Sequence, residues 1–267
     1  MKLSIAKSTW GMTGTLLENT KQIIAGGYTG IETVIPREQD RAAFLDTVRG
    51  GGLDLMIQVF TEGPDHYASF RAQVEQAASL QPKLIVSHSL KDSSPLDEQR
   101  RFFEQALKLE REIGIPIAHE THRGRAFFTP WHTAQMLTEF PELNVTADFS
   151  HFCCVCESLL GDQEDNLKRI IARALHVHAR VGYAEGPQVP HPAAPEYASE
   201  LAAHEGWWEQ IFAARAAAGH TVTTVTSEFG PPGYLHTLPF TNAPVANLWD
   251  VCLWMQGRLK ERFPQHQ

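Results

Sequence analysis

Eight short β-type runs are spaced along the chain. They are "KLSIAK" (2–7), "TGIETVI" (29–35), "LDLMIQVF" (53–60), "KLIVSH" (83–88), "IPIAHE" (115–120), "NVTADF" (144–149), "ALHVHAR" (174–180) and "TVTTVTSEF" (221–229). Each has the length and residue types of a buried strand. Between them lie helix-length segments whose apolar residues recur at three-and-four spacing. One is "SPLDEQRRFFEQALKLEREIG" (94–114), with Ser94 as a candidate N-cap and Gly114 as a stop. Another is "EYASELAAHEGWWEQIFAARAAAG" (196–219), closed by Gly219, in which Trp207 and Trp208 are expected to pack.

Strand and helix alternate eight times at a repeat of mostly about 25 to 30 residues, the signature of βα units and a parallel sheet. Eight units in this length predict an α/β fold of the closed (β/α)8 TIM barrel type rather than an open doubly wound sheet. The open fold is further disfavoured because "WGMTG" (10–14), after the first strand, carries neither G-x-G-x-x-G nor a phosphate-loop lysine. The Pro/Gly-rich stretch "GYAEGPQVPHPAAP" (182–195) follows the seventh strand and reads as a lid over the active face.

Composition narrows the functional classes. With 267 residues, 43% of them hydrophobic, the chain can build one large core, and 1–267 reads as a single domain. A formal charge of −8 and the lack of a Lys/Arg-rich run argue against a nucleic-acid partner. No 18-residue apolar run is present and "MKLSIAKSTW" lacks the layout of a signal peptide, so no membrane association and a cytoplasmic location are expected; a homo-oligomer stays open. Cys153, Cys154 and Cys156 are too close to bridge one another, and with Cys252 they read as reduced thiols.

Chemistry in this fold gathers where strands end, because the loops there converge on the barrel mouth. Strand five ends in Glu120, strand six in Asp148 with His151 just beyond, strand seven in His176 and His178, and strand eight in Glu228. Three carboxylates and an imidazole from four consecutive strands form a ligand set for a hard or borderline divalent cation. Their mutual repulsion would itself call for one. Mn2+ or Mg2+ suits the oxygen-rich mixture, with Zn2+ or Co2+ as further options. Alternation puts His176, His178 and Arg180 on one face; His178, nearer the mouth, is the expected ligand and His176 fills a lower layer.

With these residues in place the chain resembles the xylose isomerase-like superfamily, in particular its sugar phosphate isomerase/epimerase group. The matching pieces are "TGIET" (29–33), "HETHRGR" (119–125), "ADFSHF" (147–152), "HVHARVG" (176–182), "EGPQVP" (185–190) and "SEFGPPGY" (227–234). The resemblance implies that Glu120 and Glu228 act as acid and base on opposite sides of a ketose, that Asp148 binds metal and that His151 contacts substrate. It also marks departures: Ala126 and Ala184 stand where the ketose 3-epimerases place a substrate-binding Glu and Arg, with Arg180 or Arg125 as candidate substitutes. The apurinic endonucleases of the same superfamily bind three zinc ions. His88, Glu120, Asp148, His151, His178 and Glu228 would suit such a site, but its third-strand His and its Asp-x-His pair are missing.

The expected activity is therefore a divalent-metal-dependent isomerase or epimerase acting on a small sugar or sugar-derived keto compound. Proton removal beside the carbonyl would leave an enediolate whose charge a divalent cation stabilises. Lys7, Trp10, Glu32, Gln58 and His88, at the ends of strands one to four, are expected at the mouth, with Tyr234 in the "GPPGY" turn close by. Rival readings are a keto-polyol dehydratase or lyase, an apurinic-endonuclease-like repair enzyme and a barrel that binds without turnover.

Overall fold

In the computed structural model, which describes residues 1–266, eight parallel strands close into a barrel in sequence order. They are β1 (Lys2–Ser8), β2 (Gly30–Val34), β3 (Asp54–Phe60), β4 (Leu84–His88), β5 (Ile117–Glu120), β6 (Asn144–Ala147), β7 (Ala174–His178) and β8 (Val222–Ser227). Among the described residues the α-helices are α1 (Leu16–Ala25), α2 (Glu38–Gly50), α3 (His66–Ala78), α4 (Leu96–Ile113), α5 (Pro130–Glu139), α6 (Phe149–Val155), α7 (Glu164–Ile171), α8 (Ala198–Ala217) and α9 (Leu248–Arg262). This is the (β/α)8 barrel that the eight-fold alternation predicts, in one domain.

Two apolar layers follow from the two-residue period of a strand. Leu3, Ile5, Ile57, Val59, Ile85 and Val145 pack outward with Phe70, Phe103, Ile170 and Phe212 of the helices. A separate, smaller cluster of Ala6, Met56, Leu84, Val86 and Ala118 plugs the barrel interior. Residues two further along the same strands face inward one level higher, toward the C-terminal mouth.

The element ends differ from the sequence expectation in ways that matter for the site. β5 starts at Ile117, two residues later than expected, and β6, β7 and β8 stop at Ala147, His178 and Ser227. Asp148 is not a strand residue but the N-cap of α6, its carboxylate accepting from Ser150 N at 3.1 Å. Ser94 does not cap α4: Pro95 occupies that position without a side-chain cap, and Ser94 Oγ instead accepts from Lys91 N. Gly114 closes the helix in the left-handed conformation, as expected. α8 is two residues shorter at each end than the 196–219 segment, and it buries Trp207 and Trp208.

The stretch 182–195 is not a free lid. Gly182, Gly186, Pro187, Gln188 and Val189 are buried, and Gln188 is hydrogen-bonded to the backbone of Gly230. Gly182 is required there, because a Cβ would sit 2.6 Å from the Ser150 carbonyl oxygen. The four cysteines are free thiols. Among the described residues no helix is long and apolar enough to cross a membrane.

Candidate metal centre

Strand alternation builds the site directly above the interior plug. Met56 leads to Gln58, Val86 to His88 and Ala118 to Glu120, each pair on one inward face. On β7 and β8 the same step runs from His176 to His178 and from Thr226 to Glu228. The phase of β7 is set by a register irregularity. Val145 pairs with Ala174 but Thr146 with His176, so Leu175 is an extra residue. Leu175 touches the interior plug, and the bulge lets His176 and His178 face inward after it.

The structure brings Glu120, Asp148, His178 and Glu228 together, with one donor atom of each within 4.8 Å of the others. His178 Nδ1 lies 3.0 Å from Glu120 Oε1, 3.1 Å from Glu228 Oε2 and 3.9 Å from Asp148 Oδ2. Its Nε2 is 2.9 Å from Glu32 Oε1. Arg180 closes the cluster from the side: its Nη2 donates to Asp148 Oδ2 and, at 2.7 Å, to His151 Nε2, while its Nε donates to Ser150 Oγ at 3.1 Å.

Four buried carboxylates, Glu32, Glu120, Asp148 and Glu228, thus surround His178, and one guanidinium, that of Arg180, pairs with Asp148 and Glu228. The cluster responds by drawing positive charge to itself. Burial pushes the His178 imidazole down, but Glu228, Glu32 and Glu120 outweigh it and hold its pKa well above the usual range. Burial works to raise Glu120 as well, yet His88 and His178 keep it well below an ordinary carboxylate. Asp148 is different: burial, with Glu120 and Glu228 nearby, lifts it to about 6 against the pull of Arg180. His151 is driven well below its ordinary value by burial and by His122 and Arg180, consistent with a neutral ring accepting from Arg180.

The donor set fits a divalent cation. Glu120 Oε2 is buried and makes no hydrogen bond, its 2.5 Å approach to His88 Nδ1 being an ion-pair contact only. Three carboxylates and one imidazole converge from β5 and β7 and from the turns that follow β6 and β8, offset by the imidazolium at their centre and by Arg180 against Asp148 and Glu228. A dication between these atoms would relieve both the oxygen without a hydrogen bond and the excess negative charge.

A cavity of about 450 Å³ opens onto this centre, lined by Thr9, Trp10, Val34, Gln58, Phe60, His88, Glu120, His122, Arg180, Glu228 and Tyr234. Of the residues expected to meet substrate, Trp10, Gln58, His88 and Arg180 are on that wall. His151 is not: it lies buried behind Arg180, its ring 3.9 Å from that of His122. Lys7 is also absent from the cavity. It follows the inward-facing Ala6, so it points outward between barrel and helices, where Nζ donates to the Ser8 carbonyl beside Cys252. Arg125 is held away by bonds to the Thr61 and Leu90 carbonyls, its guanidinium 6.0 Å from the Phe60 ring centre.

Sequence reasoning missed Thr9, Val34, Phe60 and His122 as cavity residues. His122 had a signal, since it sits in the "HETHRGR" stretch; burial lowers its pKa to about 4. Val34 and Phe60 had a signal too, each two residues beyond an inward-facing strand residue, Glu32 or Gln58, whereas Thr9 follows the end of β1. Trp10 lies across the mouth with its ring 4.9 Å from that of Tyr234. It needs Gly230 beneath it, where a Cβ would fall 2.2 Å from the indole.

Similarity to proteins of known structure matches this arrangement at the level of fold. The probable 3-DHS dehydratase AsbF, involved in petrobactin synthesis, from Bacillus anthracis superposes with a TM-score of 0.64 at 14% identity, covering 97% of this chain and 99% of that one. A D-tagatose 3-epimerase-like protein gives 0.62 at 13%, with 99% and 98% covered. An AP endonuclease, family 2, from Brucella melitensis gives 0.57 at 14%, with 87% and 94% covered. All three share the (β/α)8 barrel with this chain, and at these identities the likeness establishes the fold alone. No sequence-family model and no curated protein sequence matches the chain.

Proposed function

We propose that the chain is a divalent-metal-dependent enzyme that removes and returns a proton beside the carbonyl of a small sugar or sugar-derived keto compound, as an isomerase or epimerase. The observation that carries this reading is that Glu120 and Glu228 share the Glu120–Asp148–His178–Glu228 donor cluster and both also line the cavity. Each can therefore touch a substrate directly.

Glu120, Asp148, His178 and Glu228 would hold Mn2+ or Mg2+, with Zn2+ or Co2+ as alternatives. Such an ion supplies charge stabilisation for the two oxygens of an enediolate. One carboxylate, Glu120 or Glu228, accepts the proton from the carbon next to the carbonyl. For epimerisation the other carboxylate enters the step protonated and gives its proton to the opposite face of that carbon, the two exchanging roles at each turnover; for isomerisation the proton returns to the neighbouring carbon while the proton on that carbon's oxygen moves to the other oxygen. Gln58 Nε2 donates to Glu228 Oε1 at 3.3 Å and steadies that carboxylate. Trp10, Phe60 and Tyr234 wall the cavity and exclude water from the proton path. Arg180 is held against Asp148, and the lining carries no cation free of a carboxylate partner among the described residues, which favours an unphosphorylated substrate.

A dehydratase acting on a related keto-polyol is the second reading. His88 favours it: the ring is stacked on Phe60 at 4.1 Å and lines the cavity, while Nε2 is unpartnered. That imidazole is placed to protonate a departing hydroxyl. The two separate in one experiment, incubation with Mn2+ and a panel of ketoses and keto-polyols in D2O followed by NMR. Deuterium entering beside the carbonyl supports proton transfer, and loss of water from the product identifies the dehydratase. Neither outcome with any compound, alongside nicking of an abasic oligonucleotide, would sink both in favour of the repair reading.

A further inference from the structure

Glu32 is the middle residue of β2, two before the cavity-lining Val34, and does not reach the cavity. It is fully buried, and both of its oxygens are engaged by side chains. Oε1 is 2.9 Å from His178 Nε2 and accepts from Gln58 Nε2, also at 2.9 Å. Oε2 accepts from Thr226 Oγ1 at 2.5 Å and lies 3.3 Å from His176 Nε2. His176 is itself held at Nδ1 by Thr224 Oγ1 at 2.7 Å. The carboxylate therefore has no atom left for a substrate, and a sugar contact, expected from its place in the sequence, is excluded.

We propose that Glu32 is the positioning residue of the metal centre, fixing the tautomer and tilt of His178 and, through Gln58, the carboxylate of Glu228. The inference rests on the reading of Glu120, Asp148, His178 and Glu228 as cation ligands. A neutral imidazole carries one proton, and only the other nitrogen can ligate. With an anion 2.9 Å from Nε2, that nitrogen keeps its proton when a cation takes the place of the one on Nδ1, which frees the Nδ1 lone pair on the side of Glu120, Glu228 and Asp148. Gln58 extends the same control, because its Nε2 bridges Glu32 Oε1 and Glu228 Oε1. One buried carboxylate thus orients two of the four ligands from a strand that supplies none.

Glu32, His176 and His178 also meet the distance condition for a cation site of their own. The hydrogen-bonding description is the stronger one. Thr226 and Gln58 already donate to the two carboxylate oxygens, and the imidazole contacts have hydrogen-bond lengths.

Calorimetric titration with Mn2+ of the unaltered protein and of Glu32→Gln, Glu32→Asp and Glu32→Leu tests the proposal, with the Tm of each metal-free protein and 15N spectra of the histidines in the Zn2+-loaded, diamagnetic protein. The unaltered protein should bind one ion, with His178 showing its N–H at Nε2 only. Glu32→Gln, whose amide can donate to Nε2 and drive the proton onto Nδ1, should weaken Mn2+ binding by about 10- to 100-fold. Glu32→Leu should do the same, while Glu32→Asp regains part of the loss. Affinity within twofold in a Glu32→Gln protein that melts normally would overturn the proposal. So would an N–H at His178 Nδ1 in the loaded unaltered protein, or a second Mn2+ that disappears with Glu32. An unaltered protein that takes up no Mn2+ at all overturns the metal centre and this proposal together.

Discussion

Gln188 and Gly230 are joined twice: Gly230 N donates to Gln188 Oε1 at 2.7 Å, and Gln188 Nε2 donates to the Gly230 carbonyl at 3.2 Å. This amide-to-backbone pair locks the loop after β7 onto the loop after β8 and holds Gly230 under Trp10. Gln188→Ala leaves two buried backbone groups unpaired and should cost about 1–3 kcal/mol of stability. Hydrogen exchange at the Gly230 amide should accelerate in step with the fall in Tm. Unchanged protection of that amide would show that the pairing does not hold the two loops.

Glu120→Gln and Glu228→Gln keep shape and hydrogen bonding but cannot accept a proton. Each should slow deuterium exchange beside the substrate carbonyl by about 10²- to 10⁴-fold. Because both side chains also belong to the donor cluster, Mn2+ affinity should fall as well. Turnover that survives both changes would remove the acid/base assignment.

Metal binding should appear as thermal stabilisation. A ligand that binds only the folded state at one hundred times its Kd adds about 2.7 kcal/mol, so the Tm should rise with Mn2+ and return to its starting value with EDTA. Asp148→Asn should abolish that rise. It also removes the carboxylate that neutralises Arg180, which is 1% exposed, and so should lower the metal-free Tm. An Asp148→Asn variant that Mn2+ still stabilises fully would exclude Asp148 from the centre.

His204 should make the fold acid-sensitive. Its Nδ1–H donates to the Glu200 carbonyl at 2.8 Å, and its Nε2 accepts from Gly182 N at 3.2 Å, so the neutral ring is fully satisfied. Burial lowers its pKa from 6.5 to about 4. Between those values the unfolded chain takes up a proton that the folded chain refuses. Stability is therefore retained near neutral pH and lost as pH falls from about 6.5 toward 4, by on the order of 3 kcal/mol in all. Urea midpoints at pH 7 and pH 5 measure this, and His204→Gln should flatten part of the difference. An unchanged slope in that variant would place the acid sensitivity elsewhere.

The barrel was legible because its signal repeats. Eight strand-like runs, most of them about 25 to 30 residues apart, leave little room for another sheet, and the C-terminal ends of four of them are conspicuously ionisable. Trp10, Gln58 and His88 could be placed near the cavity from their strand positions alone. Lys7 and Glu32 could not be assigned their surroundings that way. Lys7 lies one residue past an inward-facing Ala, so parity sends it outward, a distinction that strand ends uncertain by a residue or two cannot make. Arg125 and His151 sit in loop and helix turns beyond strand ends, where direction depends on partners distant in sequence.

The sequence by itself determined the strand and helix periods, the number of βα units and the identities of the acidic and imidazole groups delivered to one rim, because hydrophobic periodicity is a local property. Only the tertiary structure decided which of them meet. The extra residue Leu175 resets the phase of β7 so that His176 and His178 face inward, and barrel closure brings Glu32 of β2 to 2.9 Å from His178, 146 residues away. Both depend on inter-strand register, which is set by pairing across the whole barrel rather than by any one run of residues.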